Sequence, residues 1–150
     1  MTNEEYLGMI EKLNLLITNK ILEKEELFTI TTKTTQANDG MPHASAISDK
    51  VGNGAVKLVQ KAQEIDAAID LFYDLKQEII GQMQKLPVDE YNILYQSFVQ
   101  SVSLGDIADD LGMSTAQVKR ARRNGIADLR ILQSDNLRRA EKMLFQNEPK

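Results

Sequence analysis

Cysteine and tryptophan are absent from this sequence of 150 residues, which contains only one histidine and three prolines. Without cysteine the chain can form no disulfide, no thiolate nucleophile and no cysteine-ligated metal site. The single histidine, His43, argues against a histidine-rich metal centre and against Ser-His-Asp catalysis. Carboxylate pairs, nucleophile–base sets and phosphate-binding loops at useful spacing are also missing. The sequence therefore predicts a protein that is not an enzyme, with no catalytic residues, no metal site and no cofactor.

Long apolar runs are missing as well. The longest uninterrupted run is only a few residues, whereas a membrane-spanning helix needs about 18. The first ten residues, MTNEEYLGMI, lack the basic segment that opens a secretory signal peptide. We therefore expect a cytoplasmic protein with no membrane partner. Its length predicts one compact domain or two very small ones.

Charge is distributed unevenly along the chain. Residues 1–114 contain 9 basic and 18 acidic side chains, a net charge of −9, and residues 115–150 contain 9 basic and 4 acidic side chains, a net charge of +5. Every arginine lies in the second segment. This asymmetry indicates a module that meets an anionic partner, although a solvated basic helix face without a partner would have the same composition.

Two helical patterns occupy the first part of the chain. Apolar residues three and four positions apart predict an amphipathic helix over residues 3–28, with Tyr6, Ile10, Leu13, Ile17 and Ile21 on one face. A longer helix is predicted over residues 55–86, where apolar residues keep heptad positions for four heptads, as in a coiled coil. Between them, residues 29–54 are rich in Thr, Ser and Gly and predict a flexible loop. The alternative for the start of this loop is a short strand over residues 28–35.

The long helix needs an equally long partner to cover its apolar stripe. The first helix can fold back against it as an antiparallel hairpin, or the same stripe can join copies of the chain into a homo-oligomer. The sequence does not decide between the two, so residues 1–86 are interpreted as a helical scaffold whose pairing is open.

The rest of the chain, residues 87–150, has a different character. Pro87 ends the long helix, and two further helix starts follow. Each start resembles a capping box, and a glycine between them, Gly112, supplies the left-handed residue that ends a helix. The two boxes are Ser103 with Asp106 and Ser114 with Gln117. Two short helices joined by a turn of three or four residues form a helix-turn-helix. The expected fold is therefore all-α: a long antiparallel hairpin or coiled coil, then a helix-turn-helix module with a C-terminal helical extension.

The second helix of this module carries the candidate DNA-contact residues, because its N-terminal part meets base edges in the major groove. Arginine offers a planar fork to guanine O6 and N7 or to a phosphate, and lysine a less directional charge. Small residues allow close approach, and backbone amides at the helix start can bind a phosphate. We predict DNA contacts from Ser114, Thr115, Ala116, Gln117, Lys119, Arg120, Arg122, Arg123 and Arg130. Arg138 and Arg139 are further candidates for phosphate contacts.

Residues 89–132, above all SLGDIADDLGMSTAQVKRARRNGIADL, resemble the region-four helix-turn-helix of sigma-70 factors. That module reads a promoter element and touches the β flap of RNA polymerase. The matching positions are Ile107, Ala108, Leu111 and Gly112 in the first helix, and Ser114, Val118, Ile126 and Leu129 in the second. Gly125 departs from the pattern, in which alanine is usual. Because glycine inside a helix costs about 1 kcal/mol, it predicts a kink or a weakened end of the second helix.

The chain as a whole is similar to the RinA and ArpU late-gene transcription regulators, small phage proteins of Gram-positive bacteria. The shared features are the N-terminal helix, the GMP...SDKVGN segment at residues 40–53, the long acidic helix and the C-terminal module. The resemblance implies a phage-encoded activator of late genes that binds double-stranded promoter DNA and acts with host RNA polymerase in the bacterial cytoplasm. Sigma regions two and three are absent, so it should not melt a promoter by itself.

A second interpretation is a non-catalytic adaptor whose sigma-like module binds RNA polymerase or another regulator. The acidic N-terminal helices favour it, since they would repel a duplex lying along them.

Overall fold

The computed structural model describes residues 1–37 and 45–145, with side chains for residues 1–29 and 54–144. Six α-helices make up most of this part of the chain: α1 (Asn3–Ala37), α2 (Ser45–Met83), α3 (Val88–Leu94), α4 (Leu104–Leu111), α5 (Thr115–Asp128) and α6 (Asp135–Phe145). One π-helical turn, Tyr95–Val99, follows α3 directly. The described residues contain no strand, which confirms the all-α prediction and rules out the strand considered for residues 28–35.

The predicted loop over residues 29–54 is wrong at both ends. Helix α1 continues through the first part of this segment to Ala37, and α2 already begins in it at Ser45. Threonine and serine disfavour a helix by only about half a kcal/mol each relative to alanine, so a helix already started by its apolar stripe can extend through them. The rest of the predicted loop, residues 38–44 with His43, lies outside the described residues.

Helix α1 begins with a capping box. The Thr2 hydroxyl accepts a hydrogen bond from the Glu5 N–H at 3.1 Å, and the Glu5 carboxylate accepts one from the Thr2 N–H, also at 3.1 Å. This reciprocal arrangement satisfies two backbone N–H groups at the helix start. Because Thr2 is the cap, the side chain of Asn3 is available for a different contact, described below.

The chain divides into two compact units. One unit combines Met1–Leu15 with Leu71–Lys150, and the other is Leu16–Asp70. The reason is burial, because the first turns of α1 and the last turns of α2 supply fully buried side chains to the same unit as α3 to α6. Those side chains are Tyr6, Leu7, Ile10, Leu13, Leu75, Ile79 and Met83.

In the unit Leu16–Asp70, α1 and α2 contact each other. Lys24 Nζ lies 2.8 Å from Asp66 Oδ1. A cavity of about 270 Å³ opens beside this pair, lined by Leu27, Phe28, Ala55, Leu58, Val59, Ala62, Gln63 and Asp66. Burial among the described side chains of this unit is slight, with Ile65 and Ala68 below one tenth exposed.

In the other unit, a carboxylate of α2 anchors the start of α6. Glu78 accepts hydrogen bonds from Ser134 Oγ at 2.6 Å and from Asn136 Nδ2 at 2.9 Å. Ser134 Oγ also accepts the N–H of Leu137 at 3.1 Å. One hydroxyl therefore caps α6 and donates its own proton to Glu78, which fixes the place where α6 begins.

Candidate nucleic-acid interface

A short turn, residues 112–114, joins α4 to α5. At the start of α4, Ser103 Oγ accepts the N–H of Asp106 at 3.2 Å. At its end, Gly112 has a φ of 64°, the left-handed conformation that glycine adopts without a steric penalty. The predicted N-terminal cap and the predicted glycine stop of α4 are both confirmed.

Helix α5 begins with the second predicted capping box, which is also confirmed. Ser114 Oγ accepts the N–H of Gln117 at 3.1 Å, and Gln117 Oε1 accepts the N–H of Ser114 at 3.0 Å. Both side chains are exposed. Each one keeps a donor beyond its role in the cap, the hydroxyl proton of Ser114 and the amide N–H groups of Gln117.

A small apolar core holds α4 and α5 together with α3. Ile93, Ile107 and Val118 are fully buried, and Ala108 is nearly so. The partly buried side chains around them are Val102, Leu104, Leu111, Met113 and Ala121. This core fixes which side of α5 faces inward.

The outward side of α5 is cationic. Lys119, Arg120 and Arg123 are exposed, and their spacing places them on one face of the helix, which we call the cationic face. The small residues Thr115 and Ala116, also exposed, precede them in the first turn. Within the described residues none of the three cations forms an ion pair. Their charges are therefore available to an external anion.

Arg122 lies on the inner side of the same helix. Its guanidinium carbon is 4.9 Å from the ring centre of Phe98, and its Nε donates to Ser97 Oγ at 3.4 Å. Its Nη2 lies 3.8 Å from a carboxylate oxygen of Glu4. These contacts set Arg122 apart from the predicted DNA-contact residues, because its charge is directed into the protein. The sequence indicates this inward position, because Arg122 is four residues after buried Val118 and therefore lies on the same side of the helix.

Arg130 and the arginines of α6 are exposed but lie outside α5. Arg130 follows the last residues of the helix, in the segment before α6. On α6, Arg138 pairs with Asp135 at 3.5 Å, and both side chains are largely exposed. Arg139 is exposed as well. The structure does not place these arginines on the cationic face, so they fit a less specific contact with phosphates.

Gly125 is buried where α3 crosses close to α5. A Cβ atom built on it would lie 3.0 Å from Leu94 Cδ1 and 3.4 Å from Glu90 Cβ. The helix continues past it to Asp128, so α5 does not stop at this glycine, and the predicted kink or weakened end stays a prediction. The glycine reflects close packing between two helices, which a comparison of α5 with a sequence pattern alone does not reveal.

A side chain from the start of α1 holds the end of α5. Asn3 Nδ2 donates to the backbone oxygen of Ile126 at 2.7 Å and to that of Leu129 at 2.8 Å. The last carbonyl groups of a helix have no partner within it, so this amide satisfies one that α5 leaves open. The contact joins residues more than 120 positions apart, and no pattern in the sequence indicates it. The one related feature of the sequence is the Thr2–Glu5 pair, which caps α1 and so leaves the Asn3 side chain available for another contact.

Two polar side chains of the same unit, Tyr6 and Glu90, have raised pKa values. Burial raises the pKa of the Tyr6 hydroxyl; the Glu78 carboxylate raises it further, and the backbone at Leu132 opposes the shift. Burial also raises the pKa of Glu90, and the nearby carboxylate of Asp128 adds to that rise. Glu90 Oε2 makes no hydrogen bond. Glu90, a residue of α3, therefore faces α5, and its charged form is disfavoured there.

In residues 1–37 and 45–145 no helix is both long and apolar enough to cross a membrane. Over the described part of the chain no three His, Asp or Glu side chains are grouped so that they could hold a metal ion. No protein-family model, curated protein or solved structure matches this chain. The resemblance to sigma region four and to the RinA and ArpU regulators thus stays a prediction.

Proposed function

We propose that the protein is a sequence-specific DNA-binding transcription regulator and that the cationic face of α5 reads the major groove. The observation that carries the proposal is the position of Lys119, Arg120 and Arg123. All three are exposed, share one side of a helix and lack carboxylate partners among the described residues. Thr115 and Ala116 precede them in the part of the helix that would approach the bases first.

The dimensions and the chemistry fit this role. A helix of 14 residues is about 21 Å long and enters a major groove about 12 Å wide. Arg120 and Arg123 each carry a planar fork that matches guanine O6 and N7, whereas Lys119 suits a phosphate. In this proposal α4 and α5 act as a helix-turn-helix. Ser114, Gln117 and Arg130 contact phosphates around the read bases.

The proposed cellular role extends the DNA-binding proposal. We place the protein in a phage-infected bacterial cytoplasm, where it would bind late-gene promoters and act with host RNA polymerase. The support is the sequence resemblance of residues 89–132 to sigma region four, together with the capped pair of helices α4 and α5.

The proposed scaffold is an antiparallel hairpin of α1 and α2. Its support is that Lys24 pairs with Asp66, whereas Phe28, further along α1, shares a cavity with Val59, which is earlier in α2. From the first pair to the second, the residue number increases on α1 and decreases on α2, which indicates that the two helices run in opposite directions. A coiled-coil homo-oligomer through the same helices is the alternative, and sedimentation analysis of the intact chain would distinguish the two.

Selection of duplexes from a random DNA pool tests DNA reading directly. The intact protein should enrich a defined site, and fluorescence anisotropy on that site should then compare Arg120→Ala with Arg138→Ala. Arg120→Ala should lose about 1–3 kcal/mol of binding free energy and relax specificity, while Arg138→Ala should weaken all sequences alike. If the intact protein shows no measurable binding to DNA at low salt, the DNA-binding proposal is wrong.

A second proposal, an adaptor that binds RNA polymerase or another regulator without reading DNA, is favoured by one observation. Asp109 and Asp110 are exposed on α4, next to the helix that carries the cationic face. These carboxylates would repel the phosphates of a duplex at close range. Capture of purified RNA polymerase by the protein after nuclease treatment, combined with no enrichment from the DNA pool, would favour the adaptor.

A further inference from the structure

The first turn of α1 lies against the C-terminal end of α5, although the two are at opposite ends of the sequence. Asn3 supplies both hydrogen bonds of this contact from one amide group, at 2.7 Å and 2.8 Å. The next residue, Glu4, approaches Arg122 of α5 at 3.8 Å. Two consecutive residues of α1 thus contact α5, one at its end and one in its middle.

The atoms that Asn3 contacts explain why the contact matters for α5. The carbonyl oxygen of Ile126 belongs to the last turn, whose carbonyl groups find no N–H partner within the helix. The carbonyl of Leu129 belongs to the first residue after the helix, where the backbone becomes extended. One amide therefore joins the last turn of α5 to the residue that leaves it, and it fixes the point where the helix stops.

We infer that Asn3 is a positioning residue: its amide fixes the C-terminal end of α5 and thereby sets the orientation of the cationic face. This inference rests on the proposed function for its consequence in DNA binding. Arg123 lies less than one turn before Ile126 on the same rigid helix. A tilt of about 10° at this end would move the other end of a 21 Å helix by about 3–4 Å, more than the tolerance of a directional contact.

The substitution Asn3→Asp tests the inference, because it keeps the shape of the side chain and removes both N–H donors. It also places a negative charge beside two carbonyl oxygens at the negative end of the helix dipole. Asn19→Asp is the matched control: it makes the same change of charge on the same helix, at an exposed residue. Asn3→Ala removes the donors without adding charge and separates the two effects.

Two measurements on the full chain are needed. Hydrogen exchange without DNA reports on the anchor itself, through the N–H of Leu129, which bonds to the Gly125 oxygen at 3.0 Å. This N–H should exchange about tenfold faster in both Asn3 variants than in Asn19→Asp. Fluorescence anisotropy on the selected duplex should show about a tenfold loss of affinity for the Asn3 variants, because a displaced α5 no longer holds its directional contacts in place. The salt dependence of binding should not change in Asn3→Ala, because this substitution removes no charge.

The outcomes separate the inference from the proposed function. Equal exchange rates in Asn3→Ala and Asn19→Asp would overturn the anchor. Faster exchange with DNA affinity equal to that of Asn19→Asp would overturn the positioning role and leave the DNA-binding proposal intact. If the wild-type protein binds no DNA at all, the proposed function fails with the positioning role, while the exchange rates still decide whether Asn3 holds α5.

Discussion

The two sides of α5 contain the same residue types in different surroundings. On the outer side, Arg120 and Arg123 are exposed and have no ion pair among the described residues. On the inner side, Arg122 contacts Phe98, Ser97 and Glu4. Three arginines within four residues therefore divide into two roles. Their position relative to buried Val118, more than their charge, decides which of them an external partner can reach.

The largest difference between the sides should appear in packing. Leu129 is 3% exposed at the inner side, directly after the last turn of α5, whereas Leu132 is 41% exposed. Leu129→Ala should lower the free energy of unfolding by about 3 kcal/mol, the usual cost of truncating a buried leucine. Leu132→Ala should cost well under half as much. Urea denaturation of both variants provides the comparison, and similar losses would contradict the buried position of Leu129 at the inner side.

The arginines provide the next test, since Arg122→Ala and Arg123→Ala are adjacent and chemically identical changes. Arg122→Ala should lower stability by about 1–2 kcal/mol, because it removes a cation–π contact and the packing of a long side chain. It should leave the slope of log affinity against log salt unchanged. Arg123→Ala should leave stability unchanged and lower that slope by about one if Arg123 contacts a phosphate. A loss of stability in Arg123→Ala, or a lower salt slope in Arg122→Ala, would contradict the assignment of Arg122 to the inner side and Arg123 to the outer side.

A smaller effect is expected from adding one methyl group to the inner side. Gly125→Ala gains about 1 kcal/mol of helix propensity but pushes a Cβ atom into Leu94, which is fully buried. Because overpacking costs about 1–3 kcal/mol, the net result should be a loss of about 1 kcal/mol. Gly81→Ala on α2 is the matched control, since apart from its chain neighbours and its own helix backbone no atom lies within 4 Å of the added Cβ. It should raise stability by up to about 1 kcal/mol, and thermal melts of both variants should differ in sign.

The smallest expected effect concerns Glu90, between α3 and the inner side of α5. Burial raises its pKa in the folded protein, so the folded state binds this proton more tightly than the unfolded state. Its contribution is most favourable below the ordinary pKa of 4.5 and is lost as pH rises through the folded value. Glu90→Gln should therefore be more stable than wild type at pH 7 and equal to it at about pH 4. The exposed Asp109→Asn serves as the control in denaturation at both pH values, and a gain that persists at low pH would contradict this origin.

Local features of the helix-turn-helix module could be predicted from the sequence, because each depends on a few neighbouring residues. The caps at Ser103 and Ser114 and the left-handed Gly112 were all confirmed. Val118, a position that matches the sigma region-four pattern, is indeed buried. In contrast, the helical extent of residues 29–37 and 45–54 was missed, because composition indicates only a weak preference that neighbouring helix can override.

Features that join distant segments were not predictable in this way. The role of Gly125 depends on Leu94 of another helix, and the cap on α5 depends on Asn3. No periodicity links such residues. Arg122 is an intermediate case: its spacing from Val118 indicates an inward position, but only the location of Phe98 and Glu4 shows what it contacts. The candidate site could therefore be predicted as a helix with an outward face, while the contacts of its inward residues required the fold.

The contact between Asn3 and the end of α5 also constrains how the protein folds. It closes a loop of more than 120 residues, and contacts of such long sequence separation form slowly because of the entropy of closure. At about 5–20 residues per second, the ribosome makes Ile126 roughly 6–25 s after Asn3. During that interval Tyr6, Leu7 and Ile10 lack the later part of the unit that buries them. Completion of α5 is thus expected among the last folding events, and a chaperone that binds exposed apolar segments would meet the start of α1 first.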